Sequence, residues 1–256
     1  MSGAPVFHAT PTVEEPAKIG AAGRIIGALT SPGATFADIV RKPTWIVPMV
    51  LFMVMGLAFA WVMNQRIDWA AFQRQQIEQS PRASNLSAEQ IDQQVRMAAQ
   101  ISPYIAYGAG MLGSLIEALV MTLVYWGAFN LMGGAGAKFS QAFGVTVHAM
   151  CVRFVSGPLT MLVMFMKQRG EVTPENMLAS HAGAFLAEDA PRWLTTFASS
   201  FELFWFWTMF LLAVGFTAIN PKKLTVAKSI GIILGVWLVW VLLKTGGSFV
   251  FGRMFG

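Results

Sequence analysis

Charge is the scarcest thing in this chain. Only 12% of its 256 residues are Asp, Glu, Lys or Arg, where a soluble domain carries about 25%. So few charges cannot cover a water-facing surface of ordinary size, and the deficit argues for one mostly membrane-embedded unit. Cysteine is scarcer still: Cys151 stands alone inside an apolar run, which excludes a disulfide framework or a cysteine metal site within one chain. His8, His148 and His181 fall in three separate segments without metal-ligand spacing, so no metal is expected. Missing too are Gly-x-Ser-x-Gly, His-Glu-x-x-His, Gly-x-Gly-Asp and a Walker loop, and no cofactor fingerprint follows a strand. The expectation is a non-enzymatic protein without a cofactor. Residues 1–22 contain Pro5, Pro11, Glu14, Glu15 and Pro16 but no apolar core, so they read as a disordered cytoplasmic tail rather than a signal peptide. The first spanning helix is then expected to direct insertion. The formal net charge of +5 comes from bases scattered over loops, without a basic face, and nucleic acid is not an expected partner.

What the chain has in abundance is apolar sequence, 55% of its residues. Two long runs, Tyr104–Met132 and Phe139–Met166, are joined by Gly133-Gly134-Ala135-Gly136-Ala137-Lys138. Each exceeds the roughly 20 helical residues that cross a hydrocarbon core of about 30 Å. The glycines permit a tight reversal, which predicts an antiparallel transmembrane hairpin. Ala106, Gly110, Ser114, Ala118 and Thr122 recur every four positions, a stripe that lets two backbones approach closely where lipid offers no hydrophobic drive. Gly231 and Gly235 repeat that spacing near the C-terminus. Further runs give predicted spans at 45–63, 193–219 and 229–251, the last two parted by Asn220-Pro221-Lys222-Lys223. The predicted fold is all-α: five transmembrane helices in one domain over residues 23–256.

Between the runs the patterning changes. Ile25, Ile26, Leu29, Phe36, Ile39 and Val40 give Gly23–Lys42 an apolar face edged by Arg24, Arg41 and Lys42, and Ser31-Pro32-Gly33 breaks it in two. Short amphipathic helices lying in the membrane interface fit this pattern. Arg66–Ser102 is amphipathic and charge-balanced. There Ser87-Ala88-Glu89-Gln90 is a capping box, so a helix is predicted to begin near Ala88 and run into the membrane. In Lys167–Arg192, Thr173-Pro174 reads as an N-cap followed by proline at the first helical position. Orientation follows from the bases. Lys18, Arg24, Arg41, Lys42, Lys138, Lys222, Lys223 and Lys228 share one side against only Glu14, Glu15 and Asp38, which puts the N-terminus inside. Five spans then place the C-terminus outside, in what is expected to be a bacterial cytoplasmic (inner) membrane.

The entry sequence, with Ile25, Ile26, Pro32, Phe36, Ile39, Pro43, Trp45 and Pro48, resembles the YIP (Ypt/Rab-GTPase-interacting protein) membrane family, in particular its bacterial-type members. Gly133-Gly134 followed by Phe139 and a fresh apolar helix is a second match. The resemblance runs from about Gly23 to the C-terminus, and implies five spans with a cytosolic N-terminus. Eukaryotic members look like Golgi and endoplasmic-reticulum proteins that bind one another and prenylated Rab GTPases. The Asp-Leu-x-Gly-Pro type signature that goes with those members is not in this chain.

Two charges stand where lipid should not tolerate them alone. Glu117 lies 15 residues before Met132 and Arg153 lies 14 after Phe139. At about 1.5 Å per residue both sit about 21–22 Å from the inner turn. An unpaired charge at the centre of a spanning helix costs roughly 2.5–3.5 kcal/mol on insertion scales, and a depth-matched partner removes most of that. Glu117 and Arg153 are therefore predicted to pair, either fixing helix register or lining a polar cavity together with His148. Glu202 and Lys244 form a second candidate pair. The aromatic Phe201–Phe206 stretch with Trp205 and Trp207, and the methionines Met161, Met164 and Met166, read as packing rather than as a ligand cage. The expected function is that of a multi-pass YIP-type protein acting through helix packing and partner binding, in membrane organisation or trafficking-like roles. Its expected partners are the lipid bilayer and other membrane proteins or itself. The alternative is a carrier or channel for a small molecule, ion or lipid that uses the Glu117/Arg153 pair.

Overall fold

A computed structural model describes residues 19–80, 83–174, 177–187 and 190–255. His8 and most of the expected tail lie outside them, and the first helix begins two residues inside the span assigned to the tail. Ten α-helices follow in the described residues. They are α1 (Ala21–Thr30), α2 (Pro32–Arg41), α3 (Ile46–Arg66), α4 (Trp69–Glu78) and α5 (Ala88–Leu131), then α6 (Phe139–Ala149), α7 (Arg153–Met166), α8 (Arg192–Ala198), α9 (Leu203–Ile219) and α10 (Val226–Phe255). The β-pairing among these residues is a single antiparallel bridge between His181 and Glu202.

Four stretches are long and apolar enough to cross a membrane: Ile46–Arg66, Ala88–Leu131, Phe139–Met166 and Val226–Val250. They coincide with four of the predicted spans. The remaining one, 193–219, is divided into α8 and the 17-residue α9. Glu202 makes the division: its carboxylate accepts from the backbone N–H of Phe204 at 3.0 Å and of Trp205 at 2.6 Å, which starts α9 afresh. Extended backbone on either side of Glu202 is pinned from Ala182 N–H to Phe201 O at 3.0 Å and from Leu203 N–H to Ser180 O at 3.1 Å.

The capping box forms as its sequence dictates. Gln90 N–H donates to Ser87 Oγ at 3.2 Å and Ser87 N–H to Gln90 Oε1 at 2.8 Å, opening a 44-residue helix that continues through Pro103. Its polar first part packs against α4, with Gln73 Nε2 donating to Ser102 Oγ at 3.0 Å and Arg74 paired to Asp92 at 2.5 Å. The second polar segment differs from expectation. After Thr173-Pro174 the described residues make no α-helix, only turns and a short 3₁₀ stretch at Ala182–Phe185, because Ser180 and His181 are committed to the strand-like pairing with Phe201–Leu203. Glu175 and Asn176 lie outside the described residues.

The central hairpin reverses where predicted. Gly134 and Gly136 both sit at φ 62°, the left-handed region that favours glycine. The turn is held from three directions. Asn130 Oδ1 accepts from Ala137 N–H at 2.7 Å, Trp126 Nε1 donates to Ala137 O at 2.8 Å, and Asn220 Nδ2, from the α9–α10 turn, donates to Ala135 O at 3.0 Å. The apolar side of α2 docks on α6 and α9. Phe36 and Ile39 are wholly buried there, and Phe36 lies against Gly215. Phe129 of α5 stacks on Phe216 of α9 at 4.2 Å in the same core.

Candidate functional site

Glu117 and Arg153 meet, as their equal depth requires: Arg153 Nη2 donates to Glu117 Oε1. The pair is not closed over by neighbouring side chains. The side chains of Arg153 and Glu117 are 34% and 37% exposed within the chain, and both line two cavities. One, of 460 Å³, lies between α3, α5 and α7 and includes Gly56, Ala106, Gly110, Ser114, Gly157 and Thr160. The other, of 340 Å³, reaches towards the loop before α8 and is lined by Ser156, Thr160, His181, Glu202 and Thr208 among others. That second lining is rich in hydroxyls and titratable groups, and His181 Nδ1 is buried without a hydrogen-bond partner. A cavity lined this way offers room and hydrogen-bonding partners for a small polar group beside the ion pair.

His148 takes no part in this. It is 1% exposed, with Nδ1 2.8 Å from Gly144 O, and it lines a different cavity with Arg24 and Trp45. Two and four residues along, Met150 and Val152 line the cavity beside the ion pair. Between the two cavities the expected continuous span tightens into a 3₁₀ turn, Met150–Val152, between α6 and α7. Cys151 is fully buried in that turn. A 3₁₀ turn within a longer helix marks a place where the helix gives.

The small-residue stripe of α5 does what its spacing implies at Gly110. A Cβ there would strike the backbone carbonyl of Gly56, and a Cβ on Gly56 would strike that of Gly110, so α3 and α5 touch backbone to backbone. Ala118 and Thr122 continue the stripe, fully buried. Gly56 was not singled out in the sequence, where it is one glycine in an apolar run; its signal is only that it is the sole glycine of α3. The stripe of α10 behaves otherwise. A Cβ on Gly231 or on Gly235 would meet nothing within 4 Å. Close packing within the chain, expected at these glycines, does not occur, because α10 turns its other face, with Ile232, Ile233 and Val241, to the bundle.

Glu202 and Lys244 are not paired. The carboxylate is spent on capping α9, while Lys244 lines a cavity with Lys167, Arg192 and Ser199. The aromatics pack as expected. Phe201 and Phe206 close on Trp237 of α10, with ring centroids 5.4 and 5.5 Å apart. Met164 fills a small core with Val62, Ile67 and Val172, whereas Met166 is exposed.

The profile of the Yip1 domain family matches residues 26–246. A curated relative, "Membrane protein YknW" of Bacillus subtilis, is 22% identical over 191 residues, covering 75% of this chain and 76% of the relative. No solved structure matches. The match takes in the entry residues from Ile26 onward, the glycine turn, the ion pair and both glycine stripes: the chain belongs to the Yip1 domain family of membrane proteins.

Proposed function

We propose that this protein is a non-enzymatic, multi-pass Yip1-type component of a bacterial inner membrane that works by binding another membrane protein, or a second copy of itself, through a transmembrane helix. The observation that carries this reading is the bare face of α10. Gly231, Leu234, Gly235, Leu238 and Leu242 share one side of the helix and are all exposed. The same residue pattern on α5 is filled by Gly56 of α3. A glycine pair at this spacing admits a partner backbone and is poorly filled by lipid chains. In this reading α9 makes the fifth crossing. Its 17 residues span about 26 Å, and the extended turn at Glu202 supplies the remainder of a core of about 30 Å. α1 and α2 lie at the inner interface, the N-terminus is cytoplasmic and the C-terminus outside.

The test is migration of the native complex in mild detergent. Wild type runs well above the chain's own 27.9 kDa, and Gly231→Leu/Gly235→Leu releases the chain without lowering its melting temperature, since nothing within the chain is struck. Unchanged migration of that variant overturns the reading.

A second reading, a carrier or channel, is favoured by a different observation: the Glu117–Arg153 pair faces cavities, and a helix break lies between these and the cavity holding His148. Discontinuous helices near the bilayer midplane are a recurring element of transport sites. It predicts that Glu117→Gln abolishes solute-dependent growth or flux while the native complex stays intact.

A further inference from the structure

The cavity that His148 lines has no part in the partner-binding reading. It measures 680 Å³ and lies where α1, α2 and the first turn of α3 converge, within the range of about 300–1,000 Å³ typical of ligand pockets. Its frame is rigid. Arg24, 5% exposed, is committed entirely to holding it. Its Nε donates to Asp38 Oδ2 at 2.8 Å, and its Nη1 to Lys42 O at 2.9 Å and Thr44 Oγ1 at 2.6 Å, which ties α1, α2 and the entry to α3 together. Trp45 forms one wall, fixed edge-on against Phe143 at 5.4 Å.

Two features of the lining remain unspent. Arg41 and Lys42 are exposed at the rim, and neither has an ion-pair partner among the described residues. Below them Ile46 and Val47 are exposed apolar residues on the first turn of a spanning helix. The lining therefore grades from cationic to apolar along the direction in which α3 enters the bilayer. A soluble anion has no use for the lower half, and a neutral lipid has none for the upper. Basic pockets beside spanning helices, at headgroup depth, suit anionic lipid headgroups.

We infer that this cavity binds one anionic glycerophospholipid. Its phosphodiester is held by Arg41 and Lys42, and the upper part of an acyl chain lies along Ile46 and Val47. The lipid occupies the gap that the Arg24–Asp38 pair props open between the N-terminal helices and α3.

The full chain, purified in a nonionic detergent, is offered an equimolar mixture of dioleoyl phosphatidylglycerol and dioleoyl phosphatidylcholine, and retained lipids are counted by native mass spectrometry. Wild type keeps one phosphatidylglycerol per chain. Arg41→Gln/Lys42→Gln lowers its preference over phosphatidylcholine by roughly thirtyfold, taking about one unit of headgroup attraction per base. Val47→Trp, which leaves both charges and fills the apolar wall, also abolishes retention. Lys222→Gln/Lys223→Gln, removing two bases from another loop, keeps it. Loss of preference in that last variant assigns the effect to overall basicity, and displacement by millimolar inorganic phosphate assigns it to a free anion; either result overturns the site. Equal retention of both lipids by wild type does so as well.

Discussion

At the scale of single residues, two contacts carry most of the argument. The Glu117–Arg153 pair was legible because depth in a membrane helix is countable: fourteen and fifteen residues from a shared turn must bring the groups level. What the sequence could not show is which side of each helix they occupy, and hence that they border cavities. That placement sets the expected energetics. Glu117→Gln and Arg153→Gln should each lose about 1–2 kcal/mol, between the values for exposed and for fully buried pairs. The double neutral variant should recover most of the loss, and melting temperatures of the two singles and the double complete the cycle. Losses that simply add would show that the pair is not coupled. Gly110 offers a harsher test, since its missing side chain is replaced by the Gly56 backbone. Gly110→Leu should lower stability by at least about 1–3 kcal/mol, the usual range for overpacking. Leu112→Phe, at an exposed position two residues away, should leave the melting curve where it was.

At the scale of elements, the local signals read well and the tertiary ones did not. The capping box at Ser87, the glycine reversal after α5 and the break at Ser31-Pro32 each depend on residues a few positions apart, and each stands in the structure as written. The stretch 193–219, expected as one continuous helix, is divided into α8 and α9, because mean hydropathy hides a single acid. Ser199-Ser200-Phe201-Glu202 was the available signal, a polar cluster ending in a residue able to cap the helix that follows. His181, which lines the cavity beside the ion pair, left no trace in the sequence; its place depends on a bridge to Glu202 twenty-one residues on. The cap can be separated from the pairing once expected with Lys244. Glu202→Ala should cost about 1 kcal/mol, as lost N-caps do, and Glu202→Asp should retain most of that. Lys244→Gln should leave stability unchanged; equal destabilisation by Glu202→Ala and Lys244→Gln would restore the pair.

At the scale of the whole molecule, orientation and partnership remain to be measured together. The only native cysteine is buried, so introduced cysteines report without background. Asn85→Cys and Gln168→Cys should react with an impermeant thiol reagent in intact cells, and Lys222→Cys only after permeabilisation, if the basic loops face inward as proposed. Reaction of Lys222→Cys from outside would reverse the topology. The central claim is that α10 presents its glycine face to another protein's helix. A photoreactive amino acid at Leu238, on that face, tests it most directly in intact membranes, with Val54 on α3 as an exposed control elsewhere. The account predicts one discrete protein adduct at Leu238, lost when Gly231 and Gly235 become leucine, and only lipid adducts at Val54. Lipid adducts alone at Leu238, or a protein adduct indifferent to the two glycines, would contradict it.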